Sequence, residues 1–351
     1  MSEQAASIPP QEIASPLAAA RTWLTRDGAV ALATVIDTWG SSPVPVGGQM
    51  AIAMDGTFAG SVSGGCVEGD VIVAAEDAIA SGKAETLTFG IADETAWRVG
   101  LPCGGRISVR VERLKGVEDG HFLDVASGAL AERRGLVVET DLLDGRRTLY
   151  RADDAGLPAE IAARFRSARS GLVKGEAEGE QSGRFLQALV PPARLVIVGA
   201  THIGQMLSGL ARTTGYPVYV VDPRSAFAAP DRFPGAEVAA EWPQDALPRI
   251  GLDAFTAVAV VAHVEHIDDE ALKVALRSSA RYVGALGSKR NHMRRIERLK
   301  AAGITDAEIA RIANPIGLDI GAETPAEIAL SILAEVVRAV RGTKSERKTA
   351  E

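Results

Sequence analysis

From residue 195 to residue 301 the sequence alternates short apolar runs with amphipathic stretches, and few folds accommodate that pattern. Residues 195–199 (LVIVG) form an uninterrupted apolar run, as expected of a strand buried on both faces of a parallel sheet. Helical spacing follows over 203–213, and a second run, PVYVV, occupies 217–221. Further units are TAVAVVA at 256–262 with a helix over 268–278, then RYVGA at 281–285 with a helix over 288–301. Parallel strands joined by helices predict an α/β fold with a Rossmann-like, doubly wound parallel sheet. Residues 314–323 read as an ordered loop leading to a closing helix over 325–341. Thr324 is its expected cap, with Pro325 at the first position and Glu327 completing a capping box. The tail, 342–351, is expected to be disordered.

The first half has a different texture. Residues 29–37 (AVALATVID), 48–54 and 57–62 read as strands, with a turn-rich WGSSPVPVGG between the first two. Val67, Val71, Ala74 and Ala78 share one face of a predicted helix over 67–80, which Gly82 stops. Strands are expected at 84–89 and 106–113. The middle region, 116–185, predicts a helix over 122–133, strands at 135–143 and 147–151, and a helix over 157–167. The polar, Gly-rich stretch 170–183 reads as a loop or linker. At a prior of ~150 residues per domain, the division is a first domain over 10–115, a middle segment over 116–185 and a last domain over 190–341.

Composition excludes several functions. Hydrophobic residues are 46% and charged residues 24%, which is ordinary for a globular chain. A net charge of -7 speaks against nucleic acid or an anionic membrane as the main partner, and 5% aromatics gives few platforms for stacking bases. The N-terminus has no signal-peptide pattern, and no apolar run reaches ~18 residues, so no membrane span is expected. Two cysteines are too few for a disulfide framework or a closed four-cysteine zinc site. The expectation is a cytoplasmic protein with reduced thiols.

Three motifs carry chemistry. Gly199-Ala200-Thr201-His202-Ile203-Gly204 lies between strand and helix, the setting of a dinucleotide fingerprint, and Asp222 ends the next strand, where a carboxylate takes ribose hydroxyls. Thr201 stands where the middle glycine would be and obstructs close approach of a pyrophosphate, so the turn also reads as a plain strand–helix connection. Ser63-Gly64-Gly65-Cys66-Val67-Glu68 opens a helix, and its glycines let N–H groups converge into an anion-accepting nest, with a thiolate favoured by the helix dipole. Pro102-Cys103-Gly104-Gly105-Arg106 repeats the cysteine beside a Gly-Gly pair, with Arg106 as an anion clamp. A soft thiolate pair suits a thiophilic metal, sulfur transfer or a redox switch. Ser41 and Ser42 offer hydroxyls to a phosphate or simply shape a turn. His263 and His266 lack a third metal ligand. Arg277, Arg281, Lys289, Arg290, Arg294 and Arg295 read mainly as a solvated helix face, although GALGSK at 284–289 can cradle an anion at a helix start.

With these residues in view, the chain resembles the XdhC/CoxI family, accessory proteins of molybdenum hydroxylases such as xanthine dehydrogenase. The resemblance rests on GSSPVPVGGQMAI, GSVSGGCVEGDV, GLPCGGRI, LVIVGATHIGQ, YVVDPR, RYVGALGSKR and NPIGLDIGAETPAEIALSILAE, in this order. It implies an N-terminal α+β XdhC/CoxI domain before the Rossmann-like domain. It also implies a chaperone, not an enzyme, that binds molybdenum cofactor (molybdopterin or its cytosine dinucleotide form), helps its sulfuration and inserts it into a hydroxylase. On that reading Cys66 and Cys103 touch the molybdenum centre, Arg106 neutralises the anionic cofactor, and Glu68 orients the Cys66 loop. The cofactor phosphate would lie on a glycine-rich loop or helix N-terminus, among Ser63, Gly64, Gly65, Gly104, Gly105, Gly199, Thr201, Gly204 and Asp222, and a nucleotide in the Rossmann domain is a further expectation. Implied partners are a cysteine desulfurase, a second copy of the chain and the hydroxylase large subunit. Two other classes stay open: an NAD(P)-binding oxidoreductase using Gly199, Gly204 and Asp222, and a thiol redox or sulfur carrier protein.

Overall fold

The computed structural model describes residues 15–40, 42–90, 105–174 and 183–341. Expectations for Cys103, Gly104, Ser41, residues 10–14 and the tail lie outside them. The chain forms two compact units, Met1–Pro191 and Pro192–Glu351.

The first unit begins with a helix, Pro16–Asp27 (α1), which the sequence reading omits. Strands Ala29–Trp39 (β1), Gln49–Ile52 (β2) and Phe58–Gly60 (β3) precede helix Glu68–Ser81 (α2). Glu85–Phe89 (β4) and Arg106–Lys115 (β5) complete an antiparallel sheet of order β3-β2-β1-β5-β4. Strand β1 lies in its centre and alternates faces. Ala31, Ala33 and Val35 pack with Val71, Ala74 and Ala78 of α2. Val30 and Leu32 pack with Leu17, Ala20 and Leu24 of α1 and with helix Gly116–Ala131 (α3). Helix α3 starts ahead of the expected 122–133, directly where β5 ends.

A second antiparallel sheet in this unit comprises Leu136–Asp141 (β6), Arg147–Arg151 (β7), Gly171–Lys174 (β8) and Gly183–Leu189 (β9), in the order β7-β6-β9-β8. Helix Ala159–Ser167 (α4) lies between β7 and β8 in the chain and buries Ile161. The stretch 170–183 therefore begins as a strand and not as a linker, because β8 pairs with β9 from Gly171 to Lys174. This edge strand sets Leu172 and Val173 against two small apolar clusters, so its first residues are held by packing as well as by the ladder.

The second unit contains Arg194–Val198 (β10), His202–Thr213 (α5), Val218–Val221 (β11), Glu237–Ala239 (β12), Pro243–Ile250 (α6) and Thr256–Val260 (β13). It continues with Glu265–Arg277 (α7), Tyr282–Ala285 (β14), Lys289–Ala301 (α8), Asp306–Ile309 (α9), Ile312–Ala313 (β15) and Pro325–Arg341 (α10). All strand pairs are parallel, and the order β12-β11-β10-β13-β14-β15 is that of a dinucleotide-binding sheet. The continuous apolar run has a direct cause. Leu195 and Ile197 face α5 and α10, whereas Val196 and Val198 face α6, α7 and α8. Both faces are covered, at roughly 1.5–3 kcal/mol for each large side chain buried. Glu327 accepts the N–H groups of Glu323 (3.0 Å) and Thr324 (2.9 Å), and Thr324 Oγ1 accepts the Glu327 N–H (3.3 Å), so the capping box forms at the start of α10. Strands reverse their direction of winding between β10 and β13, and ligands of such sheets lie beyond the carboxyl ends at this point.

Candidate functional site

The Cys66 loop connects β3 to α2. Gly64 (φ 79°) and Gly65 (φ 113°) adopt the left-handed backbone that gathers N–H groups on one side. The nest is already filled from within. The Glu68 carboxylate accepts the N–H groups of Val62 (3.1 Å), Ser63 (2.9 Å), Gly64 (3.1 Å), Gly65 (2.9 Å) and Val67 (3.3 Å). It also accepts the hydroxyls of Ser61 (2.6 Å) and Ser63. Ser63 Oγ in turn accepts the N–H groups of Cys66 and Val67, each at 2.9 Å. An external anion expected in this nest therefore meets a carboxylate of the chain itself.

Burial alone would raise the Glu68 pKa, but the hydrogen bonds from Ser61, Ser63 and the backbone outweigh it and lower it to about 2. The loop is rigid by this means, and it carries Cys66 on its outside as an exposed, free thiol. Cys66 precedes the α2 N-cap, Val67, and so lies just outside the first helical turn, its expected place. A core cysteine would be buried; this one is not.

One other expected segment reaches the same region. A Cβ on Gly64 would stand 3.5 Å from Pro43, so the turn that follows β1 rests against the Cys66 loop. Within that turn Ser42 Oγ donates to Val44 O at 2.7 Å and so serves the turn itself. At the end of β1, Trp39 is opposite Arg106 in register with β5 and is 66% exposed. Arg106 is exposed and lies 3.6 Å from Asp37, a pairing that is weak in solvent and leaves the guanidinium available to an anion. Gly105 is buried at the start of β5.

In the second unit the glycines of the β10–α5 turn act on the backbone. Gly199 (φ 116°) lies against the main chain of Val261 and Ala262, and Gly204 lies against the carbonyl of Gly199, so neither has room for a Cβ. Thr201 is turned inward as the α5 cap. Its hydroxyl accepts the Gly204 N–H (3.2 Å) and donates to Val261 O (3.3 Å).

Asp222 does not present itself to a ribose. It is 0% exposed; Oδ2 accepts the Ala200 N–H (2.8 Å) and Arg224 Nη2 (2.6 Å), and Oδ1 accepts Arg224 Nε (2.8 Å) and N–H (3.0 Å). Burial would raise its pKa, yet the hydrogen bonds from Arg224 and Ala200 hold it below the usual carboxylate range. Arg224 stacks over Phe227 at 4.1 Å. Arg232 Nη1 donates to Ala200 O (3.0 Å) and Nη2 to Gln205 Oε1 (2.9 Å). The turn is thus fastened to the protein on both sides.

Of the two histidines, His266 packs against Trp242 with centroids 5.6 Å apart, and among the described residues no group of three or more His, Cys, Asp or Glu side chains could hold a metal ion. A buried acid–base pair escapes the sequence reading. Asp268 (2% exposed) lies 3.4 Å from Arg295 (5% exposed). Burial pushes Asp268 up to about 7, against the pull of Arg295 and with the push of neighbouring Asp269. Arg295 is thus a buried exception to the mainly solvated basic face.

These features define the class first: a two-unit α/β protein with a rigidly held exposed thiol in one unit and, in the other, a Rossmann sheet whose acidic strand end is sealed. Residues 195–336 match the XdhC Rossmann domain and residues 23–90 the XdhC and CoxI family, and the chain belongs to the XdhC/CoxI family. Among its relatives is the molybdenum cofactor insertion chaperone PaoD of Escherichia coli (strain K12), 27% identical over 312 residues, covering 88% of this chain and 82% of PaoD. A probable xanthine dehydrogenase subunit of Bacillus subtilis (strain 168) is 27% identical over 314 residues, covering 88% of this chain and 92% of that protein. A crystal structure of a xanthine dehydrogenase from Bacillus halodurans superposes with a TM-score of 0.67 at 27% identity, covering 94% of this chain and 97% of that one.

Proposed function

We propose that this chain is a molybdenum cofactor chaperone, which carries the cofactor as cargo and hands it to a molybdenum hydroxylase. The observation that carries the reading is Cys66, an exposed thiol on a loop that the Glu68 carboxylate holds rigid. The names of its relatives, one a cofactor insertion chaperone and one a component of xanthine dehydrogenase, support it. A thiolate is a soft donor suited to a thiophilic metal centre, so Cys66, joined by Cys103, contacts the molybdenum end of the cargo or shields its labile sulfur. Arg106 sets a positive charge against the anionic cargo. The chain is an accessory factor and not itself an enzyme. Its partners are a cysteine desulfurase as sulfur source, a second copy of the chain and the hydroxylase large subunit, all in the cytoplasm. No helix among the described residues is long and apolar enough to cross a membrane.

The test is anaerobic purification from cells that make the cofactor, with molybdenum and oxidised-pterin fluorescence measured per chain. Cys66→Ser is expected to lower retained pterin by about tenfold, equivalent to ~1.4 kcal/mol of binding. Its melting temperature should match the parent, because an exposed side chain moves stability by only about ±0.5 kcal/mol. Absence of pterin from the parent protein, even after saturating cofactor is added back, would remove the reading.

A further inference from the structure

A phosphorylated cargo needs an anion site, and two of the expected ones are taken. Glu68 fills the nest before α2, and Asp222 holds the N–H group of Ala200 before α5. The start of α8 differs. Its first turn has no acidic residue, and the Ser288 side chain accepts only the Asn291 N–H (3.3 Å). The N–H groups of Lys289 and Arg290, at the first two helical positions, have no acceptor within the helix. The side chains of both residues are exposed and form no ion pair among the described residues. The helix dipole adds its positive end at the same place.

A second, independent feature lies directly behind this turn. Arg295 is 5% exposed, and although Nη2 donates to Leu286 O (2.9 Å), its Nε and Nη1 are buried without any partner. Buried donors left unmet are costly, and an anion at this turn would satisfy them. The guanidinium is aimed at Gly287: a Cβ there would stand 3.6 Å from Nη2 and 3.8 Å from Nη1. Asn314 Nδ2 donates to Ala285 O (2.9 Å) and Gly287 O (3.4 Å), drawing back two carbonyls that would repel an anion. Asp268, the acid nearest Arg295, is held toward its neutral form, so the positive charge is only partly offset.

We infer that the 287–290 turn, backed by Arg295, binds the phosphate group of a phosphorylated ligand. Resting on the chaperone reading, that group is the phosphate of the cargo, as a monoester or as the pyrophosphate of a dinucleotide form. Titration calorimetry of the full chain with inorganic phosphate, inorganic pyrophosphate and cytidine 5′-diphosphate tests the site without any cofactor. The parent is expected to bind pyrophosphate saturably, and the double variant Lys289→Ala/Arg290→Ala to bind it at least about tenfold more weakly. Because both side chains are exposed, an unchanged melting temperature certifies the fold of that variant. Tighter binding of cytidine 5′-diphosphate than of inorganic phosphate would assign the site to a pyrophosphate; the reverse order would assign it to a monoester. Equal pyrophosphate affinity in parent and double variant, or no binding to the parent at millimolar concentration, would overturn the site. Pyrophosphate bound at this turn by a chain that never retains pterin would uphold the site and remove the chaperone reading. Pterin retained equally by parent and double variant would overturn the site and leave the chaperone reading standing.

Discussion

Glu68→Gln is expected to unfasten the Cys66 loop, to destabilise the first unit by about 2–4 kcal/mol, and to reduce cofactor retention along with it. The reason is a count of donors. Five backbone N–H groups and two hydroxyls converge on the carboxylate, and no other acceptor serves most of them. Hydrogen bonds to a charged acceptor are the stronger kind. Glutamine keeps one oxygen and puts an NH₂ group where the other stood, so donors face donors. The effect has a pH signature. The Glu68 carboxyl ordinarily titrates at 4.5 and in the folded protein at about 2. The unfolded chain therefore takes up the proton first as pH falls, and the stabilisation, complete above pH 4.5, disappears toward pH 2. Denaturant unfolding of parent and variant from pH 7 to pH 3 should show a gap that narrows with acid. Coincident unfolding curves at pH 7 would mean that Glu68 does not hold the loop.

What the sequence discloses depends on how local each cause is. The LVIVG run announces a doubly covered strand because Leu195, Val196, Ile197 and Val198 pack alternately into the two apolar layers on either side of the sheet. The capping box at Thr324 and Glu327 is legible because its partners are three residues apart. Strands β12 and β15, of three and two residues, are too short for any periodicity to reveal. Strand β8 has four residues, too few for its Leu172 and Val173 to stand out at the start of a Gly-rich, polar stretch of sequence. At the site, SGGC and the nearby glutamate are visible, but the occupancy of the nest is not. It depends on the glycines turning their N–H groups toward Glu68, a matter of backbone angles. Asp222 shows the same limit: a carboxylate at a strand end looks alike whether it faces a ribose or, as here, Ala200 and Arg224. For Arg295 a signal did exist. It shares the buried face of α8 with Leu299, four residues on, and a basic residue on an apolar helix face requires a buried partner.

Gly199→Ala is expected to unfold the second unit or to cost it more than about 3 kcal/mol, the scale at which backbone strain and overpacking combine. Gly199 has φ 116°, outside what an alanine adopts without strain. The added methyl would also meet the main chain of Val261 and Ala262, which cannot rotate away as a side chain can. Moving that chain pulls on β13, whose register with β10 spans Arg194 to Val198, and on the Thr201 cap, which donates to Val261 O. Gly209, within α5, is the matched control. Nothing lies within 4 Å of a Cβ there, and alanine in a helix interior gains about 0.5–1 kcal/mol over glycine. Urea unfolding of the two variants beside the parent should therefore move in opposite directions. A Gly199→Ala protein with the parent's midpoint would show that the turn has room for a side chain. The close packing that seals Asp222 against Ala200 would then have to be abandoned, and the ribose-binding reading of that carboxylate would return.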